Sequence, residues 1–289
     1  MNGKILSITI ILGIFAQSYC LKISAPIRWR SSGYLARLVP RTEKYFIDGM
    51  MDASVDMLEI KSNNLEATFF LRSTIWTGMG YQWEDIIFDP RYMHYSLVPG
   101  IRSNFKIGSK KYSLAFQWYH DCFHEVDRKE EPTIIWNIFE LRLSPTEFLA
   151  TERRNFFNNK NANSHTSKKL THNAPHFYLK FFWDIGVGIF PRFHNPAWFQ
   201  YTHPLNDRID ANLQISFIQY KSLHCEFAYN PTLYFQNGGE TSQRQYIELS
   251  IKHYGSGGTF SLFWGYTFVE TQPVRPKPDR VWLGTRWEF

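Results

Sequence analysis

The chain has 289 residues, with 32 Lys and Arg against 26 Asp and Glu, a net charge of +6 and a pI near 9.1. Its mean hydropathy of −0.35 excludes a bundle of transmembrane helices, and its 44% hydrophobic and 18% aromatic content excludes a disordered chain. The basic residues are scattered rather than clustered, which argues against a nucleic-acid partner.

At the start of the chain, Lys4 precedes a short apolar stretch, Ile5 to Phe15, and then Ala16-Gln17-Ser18. A positive residue, an apolar core and small residues at that spacing predict a secretory signal peptide over residues 1–20. The apolar stretch is about half of the ~20 residues that a spanning helix needs. The rest, 21–289, reads as one domain. Its cysteines, Cys122 and Cys225, make no disulfide framework and are expected to stay apart.

From there on the dominant signal is period two. In 65–77, Leu65, Ala67, Phe69, Leu71 and Ile75 oppose Glu66, Thr68, Arg72 and Thr74. In 176–190, Phe177, Leu179, Phe181, Trp183, Ile185, Val187 and Ile189 oppose Lys180, Asp184 and two glycines. In 208–219, Ile209, Ala211, Leu213, Ile215 and Phe217 oppose Asp210, Asn212, Gln214 and Ser216. In 258–269, Phe260, Leu262, Trp264, Tyr266 and Phe268 share a face, with Phe263 and Val269 as exceptions. Successive strand residues point to opposite faces, so these are half-apolar strands. They are long enough to cross a bilayer when tilted. A soluble sandwich also buries one face, but its strands usually stop at about 5–6 residues.

Strands are predicted near 52–61, 65–77, 92–107, 111–122, 133–143, 176–190, 208–219, 222–235, 243–254, 258–269 and 279–289. Tight turns at Asn63-Asn64, Gly108-Ser109-Lys110, Gln219-Tyr220-Lys221 and Gly255-Ser256-Gly257 alternate with longer connections, as in transmembrane barrels. Bacterial single-chain barrels have even strand counts, so a further strand is predicted within 28–47. The fold class is therefore all-β, an antiparallel up-and-down transmembrane β-barrel of about twelve strands. Residues 144–175 fit poorly, being a long basic segment where a short turn is expected.

The chain ends Val281-Trp282-Leu283-Gly284-Thr285-Arg286-Trp287-Glu288-Phe289. A terminal Phe with alternating apolar positions before it resembles the C-terminal signal of Gram-negative outer-membrane β-barrels. The resemblance implies a bacterial outer-membrane location, recognition by the barrel-assembly machinery and closure of the last strand on the first. Outer-membrane lipid and lipopolysaccharide are then the expected surroundings. It names no activity, because fold does not dictate function.

The densest ionisable cluster is Trp118-Tyr119-His120-Asp121-Cys122-Phe123-His124-Glu125. It is loosely similar to a Tyr-His-x-Ser-Ser-His-x-x-Asp stretch in a family of uncharacterised bacterial outer-membrane proteins, with Asp121 and Cys122 where serines would stand. Three readings are open. In a lipid hydrolase, similar to outer-membrane phospholipases and lipid A deacylases with a His and a Ser at the barrel rim, His120 or His124 is the base. Asp121, Glu125 or Asn137 then orients it. Since the nearest serines are Ser113 and Ser144, Cys122 or a water would be the nucleophile. In a metal site, His120 and His124 need a loop at Cys122–Phe123 to meet. In the third reading the cluster only fixes loops and binds lipid phosphates.

A second set, Glu66, Arg72, Arg102, Lys106, Lys180, Asp184, Asp210, His224 and Glu226, is predicted by parity to line the lumen. With both signs of charge there, the leading expectation is a structural or small-solute channel protein, and the alternative is the rim hydrolase. No cofactor motif is present.

Overall fold

The computed structural model describes residues 22–39, 46–62, 66–80, 89–126, 134–146, 176–191, 205–255, 257–271 and 280–289. The predicted signal peptide, the predicted Asn63-Asn64 turn, Ser256 and most of 144–175 lie outside them. The strands are β1 (Lys22–Ser24), β2 (Arg28–Val39), β3 (Ile47–Lys61), β4 (Glu66–Gly80), β5 (Asp89–Ile107), β6 (Lys110–Glu125), β7 (Ile134–Pro145), β8 (His176–Ile189), β9 (Leu205–Tyr220), β10 (Leu223–Gln236), β11 (Thr241–Gly255), β12 (Gly258–Glu270) and β13 (Arg280–Glu288). From β2 to β13 each strand pairs antiparallel with the next, and β13 pairs back with β2. The result is a closed twelve-strand barrel, with β1 a short addition beside the end of β3. Closure leaves no sheet edge in the wall, which a strand protein in lipid requires.

The apolar faces read from the sequence point outward. Phe177 and Leu179 are each 79% exposed, and Phe260, Leu262, Trp264, Ile185, Val187 and Ile189 are exposed with them. Phe263, the exception in β12, points inward, where Arg286 lies 4.8 Å from its ring centroid and Tyr34 meets it edge-on.

The strand predicted within 28–47 is β2, Arg28–Val39. It alternates poorly because both faces are mixed. Arg28 and Arg30 turn inward to ion-pair with Asp56. On the outer face Gly33 leaves room for Trp287 of β13; a Cβ there would come within 2.6 Å of the indole. Next to it Ser31 and Phe289 exchange backbone hydrogen bonds of 3.1 and 2.7 Å. The terminal aromatic motif thus forms the closing seam.

One end of the barrel carries the two-residue turns β5–β6 and β9–β10, and also the long connection from β7 to β8 that fitted the sequence pattern poorly. Gly108 adopts φ +60° in the β5–β6 turn, as the first central residue of a type II′ hairpin does. The turn read at Gln219-Tyr220-Lys221 falls two residues later, at Lys221-Ser222, with Lys221 at φ +53°. We call this the turn end, and the opposite one the loop end. Most strands run further toward the loop end than the sequence suggested, and β6 continues through Glu125. There is consequently no loop at Cys122–Phe123.

The buried apolar cluster lies inside the barrel, near the loop end. Phe123, Trp136, Ile138, Phe190, Leu205 and Tyr234 pack together, with Tyr119 against them. His94, stacked between Trp76 and Phe123, extends the aromatic layer across β4 and β5.

Candidate functional site

Two polar assemblies occupy opposite sides of the wall. Inside, Glu140 is fully buried and accepts from Gln117 Nε2 at 2.6 Å, Arg142 Nε at 2.8 Å and Arg208. Arg142 continues to Asp184 and Asp210, and Arg208 Nε lies 3.2 Å from Asp210 Oδ1. Glu248 takes both Nη atoms of Arg286 at 2.7 Å and the Tyr246 hydroxyl. Glu226 accepts from Lys252 at 2.8 Å, Tyr254 at 2.9 Å and Ser216 at 3.1 Å. Asp56 holds Arg28, Arg30 and Arg102. Buried charges must be paired, and these are. Between them a cavity of about 500 Å³ reaches from Tyr119 and Arg142 to Phe289.

The second assembly faces outward. On β6 the exposed Leu114, Phe116 and Trp118 define the outer face. Regular pairing on both flanks carries that parity on to His120, Cys122 and His124. Asn137 of β7 is the direct cross-strand partner of His120. His120 Nδ1 lies 2.9 Å from Asn137 Oδ1, and His120 Nε2 lies 3.3 Å from Cys122 Sγ. An amide oxygen only accepts, so Nδ1 carries the ring proton and Nε2 presents its lone pair to the thiol. Thiol, imidazole and amide stand in the order that a nucleophile, its base and an orienting group require. Asn137 is 6% exposed, and Cys122 is half-buried.

The residues singled out in the sequence separate accordingly. His120 and Asn137 come together, and Cys122 joins them. Asp121 lies on the lumen side, buried, with His94 Nε2 3.4 Å from its Oδ1. It stands between His120 and Cys122 in sequence and behind them in space, so it does not orient His120. Glu125 ends β6, opposite Tyr92. His124 shares the outer face with His120. The extended strand keeps them about 13 Å apart along the rise, so the two-histidine metal arrangement does not form. Ser113 and Ser144, the nearest serines, face each other inside the barrel and are buried. Cys122 and Cys225 are both free thiols.

Of the residues assigned to the lumen by parity, Arg72, Arg102, Asp184 and Asp210 border the cavity. Glu226 is bonded as above. His224 meets Tyr254 edge-on at 4.6 Å, and Lys180 lies 4.8 Å from the centroid of the Phe182 ring. Glu66 sits 3.5 Å from Lys61. Lys106 is exposed near the turn end of β5, opposite Lys111. Glu140, Arg142, Arg208, Lys252 and Arg286 are central to the interior but were not singled out. The i, i+2 pair Glu140 and Arg142 on a strand is the signal that would have found them.

No family model and no curated protein matches the sequence. Solved structures do. Outer membrane phospholipase A from Escherichia coli aligns with a TM-score of 0.50 at 9% identity, over 92% of this chain and 98% of that one. Outer-membrane expressed OmpT of Vibrio cholerae gives 0.42 at 8% identity, over 93% and 97%. Salmonella typhi OmpF in complex with daunomycin gives 0.37 at 7%, over 93% and 97%. At such identities the shared property is the fold. A closed twelve-strand wall, apolar outside and charged inside, has the fold of the outer-membrane β-barrels.

Proposed function

We propose that the protein hydrolyses acyl ester bonds of outer-leaflet lipids, with Cys122 as nucleophile, His120 as base and Asn137 as the group that orients His120. The observation that carries this is the Cys122–His120–Asn137 line on the lipid-facing side of the wall, with contacts of 3.3 and 2.9 Å. Short turns face the periplasm in such barrels, so the loop end is the outer one and the line lies near the outer leaflet. Below it Trp118, Phe116 and Leu141 offer apolar surface to an acyl chain. The solved structure with the TM-score of 0.50 is named a phospholipase; a barrel of this shape is compatible with lipid chemistry, but the reading rests on the residues.

The chemistry runs in two halves. His120 Nε2 takes the Cys122 proton, and the sulfur attacks the ester carbonyl carbon. The tetrahedral intermediate collapses, the C–O bond breaks, and the leaving alkoxide takes the proton from His120. The thioester is then cleaved by water, which gives its proton to Nε2 and adds to the same carbon; the fatty acid leaves and the thiol is restored. Throughout, Asn137 Oδ1 keeps the Nδ1 proton in place.

The channel reading has the interior cavity in its favour. Against it stand the apolar layer Phe123, Trp136, Ile138, Phe190, Leu205 and Tyr234, and the ion pairs beneath it. Export through the signal peptide and recognition of the Phe289 strand by the assembly machinery belong to this proposal. So does contact with lipopolysaccharide.

The test uses detergent-refolded protein with p-nitrophenyl octanoate and dioctanoyl phosphatidylethanolamine. Acyl release that disappears in Cys122→Ala and on alkylation with iodoacetamide is the expected result. No release by the wild type, or release untouched in Cys122→Ala, overturns the proposal.

A further inference from the structure

The thiol–imidazole–amide line is incomplete as acyl-transfer machinery, because nothing in it stabilises the negative oxygen of the tetrahedral intermediate. In many hydrolases backbone N–H groups at a turn do this. Here that source is closed. Cys122 sits within a continuous β6, paired to β5 on one side and β7 on the other. Ladder pairing occupies the neighbouring amides. Among the described residues, that leaves a side chain on the outer face as the donor.

Cys122 has two direct cross-strand neighbours. On β7 it faces Ile135, which has nothing to donate. On β5 it faces Tyr95. Opposed residues in an antiparallel pair hold their Cβ atoms about 4.5–5.5 Å apart. The Tyr95 ring stands edge-on to His124, with centroids 5.6 Å apart and planes at 74°. That contact sets the ring on the rim side of the thiol. Its hydroxyl donates to Met93 Sδ at 3.1 Å. A thioether is a weak acceptor, and an oxyanion is a strong one. The phenol O–H is thus oriented but loosely held, on the residue paired directly across from the nucleophile.

We propose that Tyr95 is a catalytic residue: its hydroxyl leaves the Met93 sulfur and donates a hydrogen bond to the oxyanion that forms when Cys122 attacks the ester carbonyl. No proton is transferred and no covalent bond to Tyr95 forms. The inference rests on the hydrolase reading.

Tyr95→Phe removes the donor and keeps the ring on His124. With p-nitrophenyl octanoate, kcat should fall about 10²-fold, the order seen when one oxyanion donor is removed. KM should stay within about 2-fold, and the rate of Cys122 alkylation by iodoacetamide should not change, since the relay to His120 is intact. A kcat within about 3-fold of wild type overturns the assignment, and so does a loss confined to His124→Ala, which would give the donor role to the imidazole. The two readings fail separately. If Cys122→Ala is inactive while Tyr95→Phe behaves as wild type, only Tyr95 falls; if the wild type releases no acyl group, both fall.

Discussion

Asn137 and Glu140 are three residues apart on β7 and lie on opposite faces of it. Glu140 is an ionised group with two arginines and an amide on its carboxylate. Asn137 is a neutral group that meets one imidazole. The lumen gathers charges of both signs and balances them over short distances, because each buried charge needs an opposite one. The outer face carries no such balance. A charge aimed at lipid costs about 2–4 kcal/mol near the midplane and less toward the interface. Cys, His and Asn in series bring no fixed charge to that face, and each meets the next. The interior arrangement is what a stable barrel of this width needs. The exterior one contributes little to the wall and is arranged in the order that proton transfer requires.

The sharpest way to break this comparison is at His120. Alanine there removes the base and leaves every interior ion pair in place. Acyl release should drop by about 10³-fold or more, as for other members of nucleophile–base units, while heat-modifiable gel mobility stays that of the wild type. A His120→Ala protein with ordinary acyl release would mean that the outer polar line is only packing.

Much of this was readable from the residues. Long alternating strands, the even count and the terminal Phe gave the barrel, since lipid outside and water inside impose a period of two on each strand. What period two does not give is which strands cooperate. His120 and Cys122 are adjacent on one face of β6, but Asn137 joins them only through the β6–β7 register, and Tyr95 only through β5–β6. Asp121, attractive in sequence as a neighbour of His120, is removed by the same parity that makes the strand. The histidine pair failed as a metal arrangement because β6 outlasts its predicted end. The faces of β2 stayed obscure because the seam with Trp287 needs Gly33 on the lipid side.

Inside the barrel, Glu140→Ala sharpens the contrast from the other direction. Arg142 and Arg208 would keep their charges and lose the carboxylate that joins them. Removing one partner from a buried network costs about 3–5 kcal/mol. A lower denaturant midpoint is the expected reading, with acyl release by the folded protein close to wild type. If stability held and hydrolysis fell, the two faces would not be independent. The same preparation in planar bilayers should show no steady conductance in the wild type, because Trp136 and its neighbours pack inside the barrel near the loop end. Steady steps of current would return the channel reading to first place.

The smallest effect belongs to Asn137. Its amide neither attacks nor moves a proton between reacting atoms; it fixes which nitrogen of His120 carries one. Asn137→Ala frees the ring to turn away from Cys122 and to exchange tautomers, so part of the population loses the Nε2 lone pair facing the thiol. Some remains competent, and a loss of about 10- to 10²-fold in kcat follows, smaller than removal of the base itself. Asn137→Asp separates this from a packing defect. The carboxylate still accepts from Nδ1, so kcat should recover most of the loss, while the added charge facing lipid lowers barrel stability. Recovery of rate without recovery of stability is the signature of an orienting group. An alanine variant as fast as wild type would show that the 2.9 Å contact does not hold the imidazole for catalysis.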